Sequence, residues 1–179
     1  MNWRLRVLAL ALVAGTGALG ASAVAAADSG AAVSPQAITC NAQIQLVNDG
    51  AGRVWDIEGA SSADHTPIQM FDDHNGANQI WQRCFDGGPG FVIKNPATGK
   101  CVDVAGASPL DHAAIQLFPC HWGDNQRFDL FTTLDGYAFM ARHSAKCVDI
   151  TGPNYANGVN LQQYGCHGGL NQSFRFVVV

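Results

Sequence analysis

The chain has 179 residues, enough for one domain of ordinary size and too few for several. Fourteen acidic residues outnumber ten basic ones, a formal charge of −4, so a phosphate backbone is a poor partner and nucleic-acid binding is not expected. A charged fraction of only 13% together with 20 glycines is the composition of a compact, turn-rich β protein.

The first segment reads as an export signal. Arg4 and Arg6 precede an apolar run over residues 7–14, then mostly small residues as far as Ala27. That order of positive end, apolar middle and small-residue exit defines a secretory signal peptide. Both Ala23-Val24-Ala25 and Ala25-Ala26-Ala27 offer cleavage sites, and removal of residues 1–27 is the preferred expectation. Gly15, Thr16, Gly17 and Gly20 break the run short of the roughly 20 apolar residues that a span requires, so a secreted protein without membrane insertion is expected. Residues 28–39, rich in Ser, Gly, Ala and Pro, form a flexible lead-in. The compact domain is then 40–179, and once residues 1–27 are removed eight basic residues face fourteen acidic ones, a formal charge of −6.

All six cysteines lie beyond the signal, an even number in an exported chain, and are read as disulfides. The closest pair, Cys84 and Cys101, is far wider than the spacing of zinc ligands, and no metal or cofactor is expected.

A repeat organises everything that follows. Trp55-Asp56-Ile57, Val102-Asp103-Val104 and Val148-Asp149-Ile150 recur with a period of 47 and then 46 residues. Three residues beyond each aspartate stands Gly59, Gly106 or Gly152, and thirteen beyond, Gln69, Gln116 or Gln162. Fifteen on comes an aromatic (Phe71, Phe118, Tyr164), and eighteen on a histidine (His74, His121, His167). Each unit then closes on Asn78-Gln79, Asn125-Gln126 or Asn171-Gln172, with Trp81, Phe128 or Phe174 two residues later.

Within each unit the apolar pattern is short and alternating, without a run at helical spacing. Residues 91–93, 101–104, 115–118 and 128–131 read as strands separated by Gly, Asn, Asp and Pro. Asp86-Gly87 and Leu134-Asp135-Gly136 read as turns from one unit into the next, which gives lobes of about 40–86, 87–134 and 135–179 and about twelve strands. Three units are too few for a propeller, so an all-β arrangement about a pseudo-threefold axis is expected, closed by residues 174–177 against 44–46. Cys101 with Cys120 and Cys147 with Cys166 have equal separations and pair within their lobes; Cys40 with Cys84 follows by elimination. In the first lobe the equivalent positions are Val54 and Asp73.

The closing Asn-Gln-x-Trp or Asn-Gln-x-Phe and the opening Val-Asp-Val resemble the ricin B-chain type lectins, a family that includes the family 13 carbohydrate-binding modules. The resemblance spans about residues 40–179 and implies a β-trefoil. It also implies a sugar pocket in each lobe, built from Asp56, Phe71, Asn78 and Gln79; from Asp103, Phe118, Asn125 and Gln126; and from Asp149, Tyr164, Asn171 and Gln172. The residue types suit that role: a carboxylate accepts hydrogen bonds from hydroxyls, an aromatic face covers the apolar face of a pyranose, and an amide offers both donor and acceptor. Gln79, Gln126 and Gln172 are expected to brace the aspartate, and Gln69, Gln116 and Gln162 to tie down backbone. Trp81, Phe128 and Phe174 are core residues. Family lobes carry Asn-Gly or Asp-Gly eight and nine residues past the aspartate. The third lobe keeps Asn157-Gly158, whereas the first two have Asp64-His65 and Asp111-His112, which is expected to reshape that turn and alter the first two pockets.

The implied function is a non-catalytic lectin binding galactosides or xylan-type polysaccharides, alone or beside a separate secreted hydrolase. A protein-binding or inhibitory trefoil is the alternative. A glycoside hydrolase needs two carboxylates facing one bond, and the third lobe lacks a second acid.

Overall fold

The computed structural model describes residues 37–152 and 155–179; the expected signal peptide and most of the lead-in lie outside them. The described chain is a succession of short strands: β1 (Thr39–Cys40), β2 (Ile44–Asn48), β3 (Val54–Ile57), β4 (Thr66–Phe71), β5 (Gln82–Phe85), β6 (Val92–Lys94), β7 (Cys101–Val104), β8 (Ile115–Phe118), β9 (Phe128–Thr132), β10 (Tyr137–Ala141), β11 (Lys146–Ile150), β12 (Val159–Tyr164) and β13 (Phe174–Val178). The other regular elements are single 3₁₀ turns, such as Ala77–Gln79 and Leu170–Gln172. β1 begins at Thr39, inside the expected lead-in, and pairs with β5.

Each lobe contributes four strands, β2–β5, β6–β9 and β10–β13. The middle two form a hairpin whose register sets the opening aspartate opposite the glutamine thirteen residues on: Asp56↔Gln69, Asp103↔Gln116 and Asp149↔Gln162. The returning strands of the three hairpins also pair with one another. β4 pairs with β8 through Pro67↔Gln116, β8 meets β12 at Ala114↔Gln162, and β12 pairs with β4 through Asn160↔Gln69. This ring leans every hairpin on the next lobe. The last strand closes the structure as expected, with Phe176 opposite Leu46 and Val177 opposite Gln45. The fold is a β-trefoil, and its closure leaves the central strands no open edge.

The core follows from the alternation. On β7, Val102 and Val104 are buried, and their counterparts Trp55, Ile57, Val148 and Ile150 pack into the same cluster. The closing aromatics Trp81, Phe128 and Phe174 are fully buried, each of which stabilises the fold by roughly 1.5–3 kcal/mol relative to exposure. Lobes are also stitched by asparagines. Asn48 donates to the carbonyls of Leu170 and Ser173, and Asn95 to those of Ala77 and Ile80, so each satisfies a 3₁₀ turn of the neighbouring lobe.

All three expected disulfides form: Cys101–Cys120 and Cys147–Cys166, from their equal spacing, and Cys40–Cys84, the pair left by elimination. Where the first lobe lacks its bridge, Asp73 accepts a 2.6 Å hydrogen bond from Gln45.

Candidate functional site

Each lobe carries one shallow cavity, and its floor is the hairpin aspartate. Asp103 shares β7 with two core valines, yet the residue is only 2% exposed, as are Asp56 and Asp149. Burial of a charge at this depth demands donors, and four converge. Gln116 Nε2 donates to Asp103 Oδ1 at 3.0 Å; Asn125 Nδ2, Gln126 Nε2 and His121 Nε2 reach Oδ2 at 2.8, 3.0 and 3.3 Å. The first lobe repeats the set on Asp56 with Gln69, Asn78, Gln79 and His74 at 3.0, 2.7, 2.9 and 3.3 Å. The third does so on Asp149 with Gln162, Asn171, Gln172 and His167 at 2.9, 2.7, 3.0 and 3.4 Å.

Two roles differ from the sequence-based expectation. Gln69, Gln116 and Gln162 hold the aspartate rather than backbone, because the hairpin register puts amide and carboxylate face to face. Gln79, Gln126 and Gln172 do both: Gln126 also donates to the Pro119 carbonyl and accepts from the His121 amide, fastening the chain after β8 to the carboxylate. The repeated histidines belong to the site as well. The Gly123 N–H donates to His121 Nδ1, which leaves the ring proton on Nε2, directed at Asp103; Gly169 does the same for His167. Their eighteen-residue spacing was the available signal. No group of three potential metal ligands gathers among the described residues.

The aromatic of each lobe is half-buried at the cavity wall. The first cavity, about 340 Å³, is lined by Asp56, Gly59, Ala60, Gln69, Phe71, His74 and Asn78. The second, about 300 Å³, adds His65 to the matching residues of its own lobe, and the third, about 230 Å³, adds His112. The turn that carries each histidine thus reaches the cavity of the following lobe. Nor is the turn reshaped: His65 and His112 take φ of 64° and 69°, close to the 82° of Gly158, because the cross-lobe pairing fixes this conformation whatever residue fills it. The pockets altered are therefore the second and third, and the first faces Gly158.

The acids beside these histidines are engaged elsewhere. Lys100 pairs with Asp64, and Lys146 Nζ donates to Asp111 at 2.6 Å, holding the Asp111 carboxyl below the usual carboxylate range. Arg53, equivalent to both lysines, donates to Asn157 at 2.6 Å. Neither Asp64 nor Asp111 lines any of these three cavities.

A family model described as a ricin-type β-trefoil lectin domain-like matches residues 36–118, 77–164 and 124–178. No curated protein sequence matches significantly. Among solved structures, the designed threefold symmetric protein ThreeFoil is 33% identical, with a TM-score of 0.73, over 78% of this chain and 100% of its own. An exo-β-1,3-galactanase from Clostridium thermocellum is 28% identical with a TM-score of 0.73, over 78% of this chain but 30% of the enzyme. The C-half of an earthworm R-type lectin in complex with GalNAc shares the fold at 20% identity and a TM-score of 0.61, over 78% of this chain and 100% of that one.

Proposed function

From the fact that the chain belongs to the ricin-type β-trefoil lectin family, we propose that it is a secreted, non-catalytic carbohydrate-binding module with one sugar pocket in each lobe. The observation that carries this reading is the threefold recurrence of an aspartate buried under four donors beside a half-buried aromatic. Fixing a carboxylate and an amide in this way costs the fold a buried charge three times over, which packing alone does not require. What the constellation supplies is a rigid polar edge next to an apolar ring face, the two surfaces that a pyranose presents in return. Export agrees with three disulfides in a chain that opens on a signal-like segment. The pockets hold no second carboxylate to pair with the aspartate, which favours binding over hydrolysis.

Galactose-containing polymers are the first ligands to offer, since the 28% identical neighbour is an exo-β-1,3-galactanase; xylan is the second. The test is calorimetric titration of residues 28–179 with galactan, lactose and xylan fragments. The expected result is saturable binding that Phe71→Ala, Phe118→Ala and Tyr164→Ala together abolish while the protein stays folded. A folded protein that binds none of these glycans on a broad array would end the lectin reading in favour of a protein-binding trefoil.

A further inference from the structure

The three cavities are not equivalent, and the difference comes from across the lobe boundary. His65, on the outer turn of the first lobe, packs on Phe118 of the second with ring centroids 4.8 Å apart. His112, from the second lobe, packs on Tyr164 of the third at 5.2 Å. The corresponding position facing Phe71 is Gly158, without a side chain.

Hydrogen bonding fixes the tautomer of both neutral rings. A carboxylate only accepts, so the amide nitrogen of Gln116 must face Asp103 and its carbonyl oxygen must face away. That oxygen lies 3.2 Å from His65 Nδ1, which therefore carries the proton; Gln162 and His112 repeat the arrangement at 2.9 Å. In the neutral ring Nε2 is then an acceptor, and no described residue partners it in either histidine. In the first lobe Gln69 Oε1 has no such neighbour and remains open to the cavity.

The turns that present the rings are held on both sides. Lys100 binds the Ser62 carbonyl and Asp64 under His65. Under His112, Gln163 Nε2 donates to the carbonyls of Ser108 and Leu110, each at 2.6 Å, and Lys146 holds Asp111. Gln163 is fully buried where the other lobes have Met70 and Leu117, so the third lobe gives up an apolar core position to anchor the turn. Both histidines also occupy left-handed backbone that glycine fills at lower cost.

We propose that His65 and His112 are specificity-determining residues of the second and third pockets, each acting in trans from the preceding lobe. Each imidazole forms a second wall beside Phe118 or Tyr164 and accepts a hydroxyl proton of a neutral pyranoside through Nε2. The first pocket, larger and lacking the ring, makes its hydroxyl contact with Gln69 Oε1 and binds the same sugar more weakly. This rests on the reading of the cavities as sugar sites.

The test follows the imidazole nitrogens of His65 and His112 and the side-chain amides of Asn78, Asn125 and Asn171 by NMR at pH 7.5, during titration with lactose, N-acetylgalactosamine and xylobiose. The expected result is that each imidazole shifts along the same saturation curve as the asparagine of its own pocket, His65 with Asn125 and His112 with Asn171. Asparagine shifts without imidazole shifts would overturn the proposal and leave the sugar sites standing. No shift at any of the five would remove both. His65→Gly, which relieves backbone strain, is expected to weaken the second pocket about tenfold and leave Asn78 titrating as before. Gly158→His should strengthen the first pocket, where a Cβ meets only Gln69 Oε1, at 3.8 Å. Unchanged or tighter binding in His65→Gly would mean that the ring plugs the pocket, and would refute the assignment.

Discussion

A buried carboxylate with four donors is a structural keystone as well as a proposed ligand group, and what it contributes to the fold depends on which donor is removed. Gln116 donates to Asp103 and otherwise meets only the His65 ring at the cavity wall, whereas Gln126 joins the carboxylate, the Pro119 carbonyl and the His121 amide. Loss of the first leaves Asp103 Oδ1 without its donor, at about 1–2 kcal/mol; loss of the second takes one of three donors from Oδ2 and leaves the Pro119 carbonyl and the His121 and Trp122 amides without their partner, at about 3 kcal/mol or more. Urea denaturation of Gln116→Ala and Gln126→Ala should give that order, and the reverse would mean that hairpin register, not the closing motif, holds the site. Spacing alone made Asp103, Gln116, His121 and Asn125 visible as a set. It did not make visible which of them touch, because a thirteen-residue separation acquires its meaning only once the hairpin brings β7 and β8 into register. Hence Gln116 was expected on backbone, and His121 was not placed in the site at all.

Among the elements, the turns between lobes carry more than their sequences suggest. Asp86, on the turn from β5 to β6, accepts from Arg127 Nη1 and Nη2 at 3.0 and 2.5 Å, and these hydrogen bonds hold its carboxyl below the ordinary carboxylate range. A carboxylate with a lowered folded-state pKa adds stability above its unfolded value, near pH 4, and loses it as pH falls through the folded value. Asp86→Asn should therefore destabilise the protein by about 1 kcal/mol at pH 7, discounted for solvent at the turn, with the gap to the parent closing below about pH 4. Thermal melts across pH 2.5–7 measure this; a gap that persists at the acid end would assign the loss to geometry rather than charge. Strand positions, the turn at Asp86 and the disulfides were legible, since alternation, glycine and equal cysteine spacing are local signals. The outer turns were misjudged for the opposite reason. Histidine at a positive-φ position looks like a disruption when read locally, but pairing to the next lobe, through His65 N–H to the Leu117 carbonyl, imposes the conformation from outside.

At the scale of the whole molecule, the period of 47 and 46 residues made the threefold closure readable, down to the pairing of β13 with β2. It left open the sense in which lobes reach into one another, since a repeat is blind to which neighbour a turn contacts. That sense matters for binding. The second and third pockets are each completed by a histidine of the lobe before, so they depend on the ring of hairpins staying intact, whereas no described residue of the third lobe lines the first. Three shallow cavities of about 230–340 Å³ each offer little surface to one sugar, so the expected single-site affinity is low. With three sugar sites as proposed, the second and third contacts on a glycan-coated surface become intramolecular, and the expected affinity is roughly 10²–10⁴-fold above that of one site. Retention on immobilised polysaccharide should accordingly fall much more than a third when one pocket is removed. It should also fall further for Tyr164→Ala than for Phe71→Ala, because the first pocket is proposed to add the weakest contact. Surface plasmon resonance on a galactan-coated chip resolves the two variants. Equal losses would place all three pockets on one footing, and a loss proportional to the number of pockets removed would mean that they bind independently.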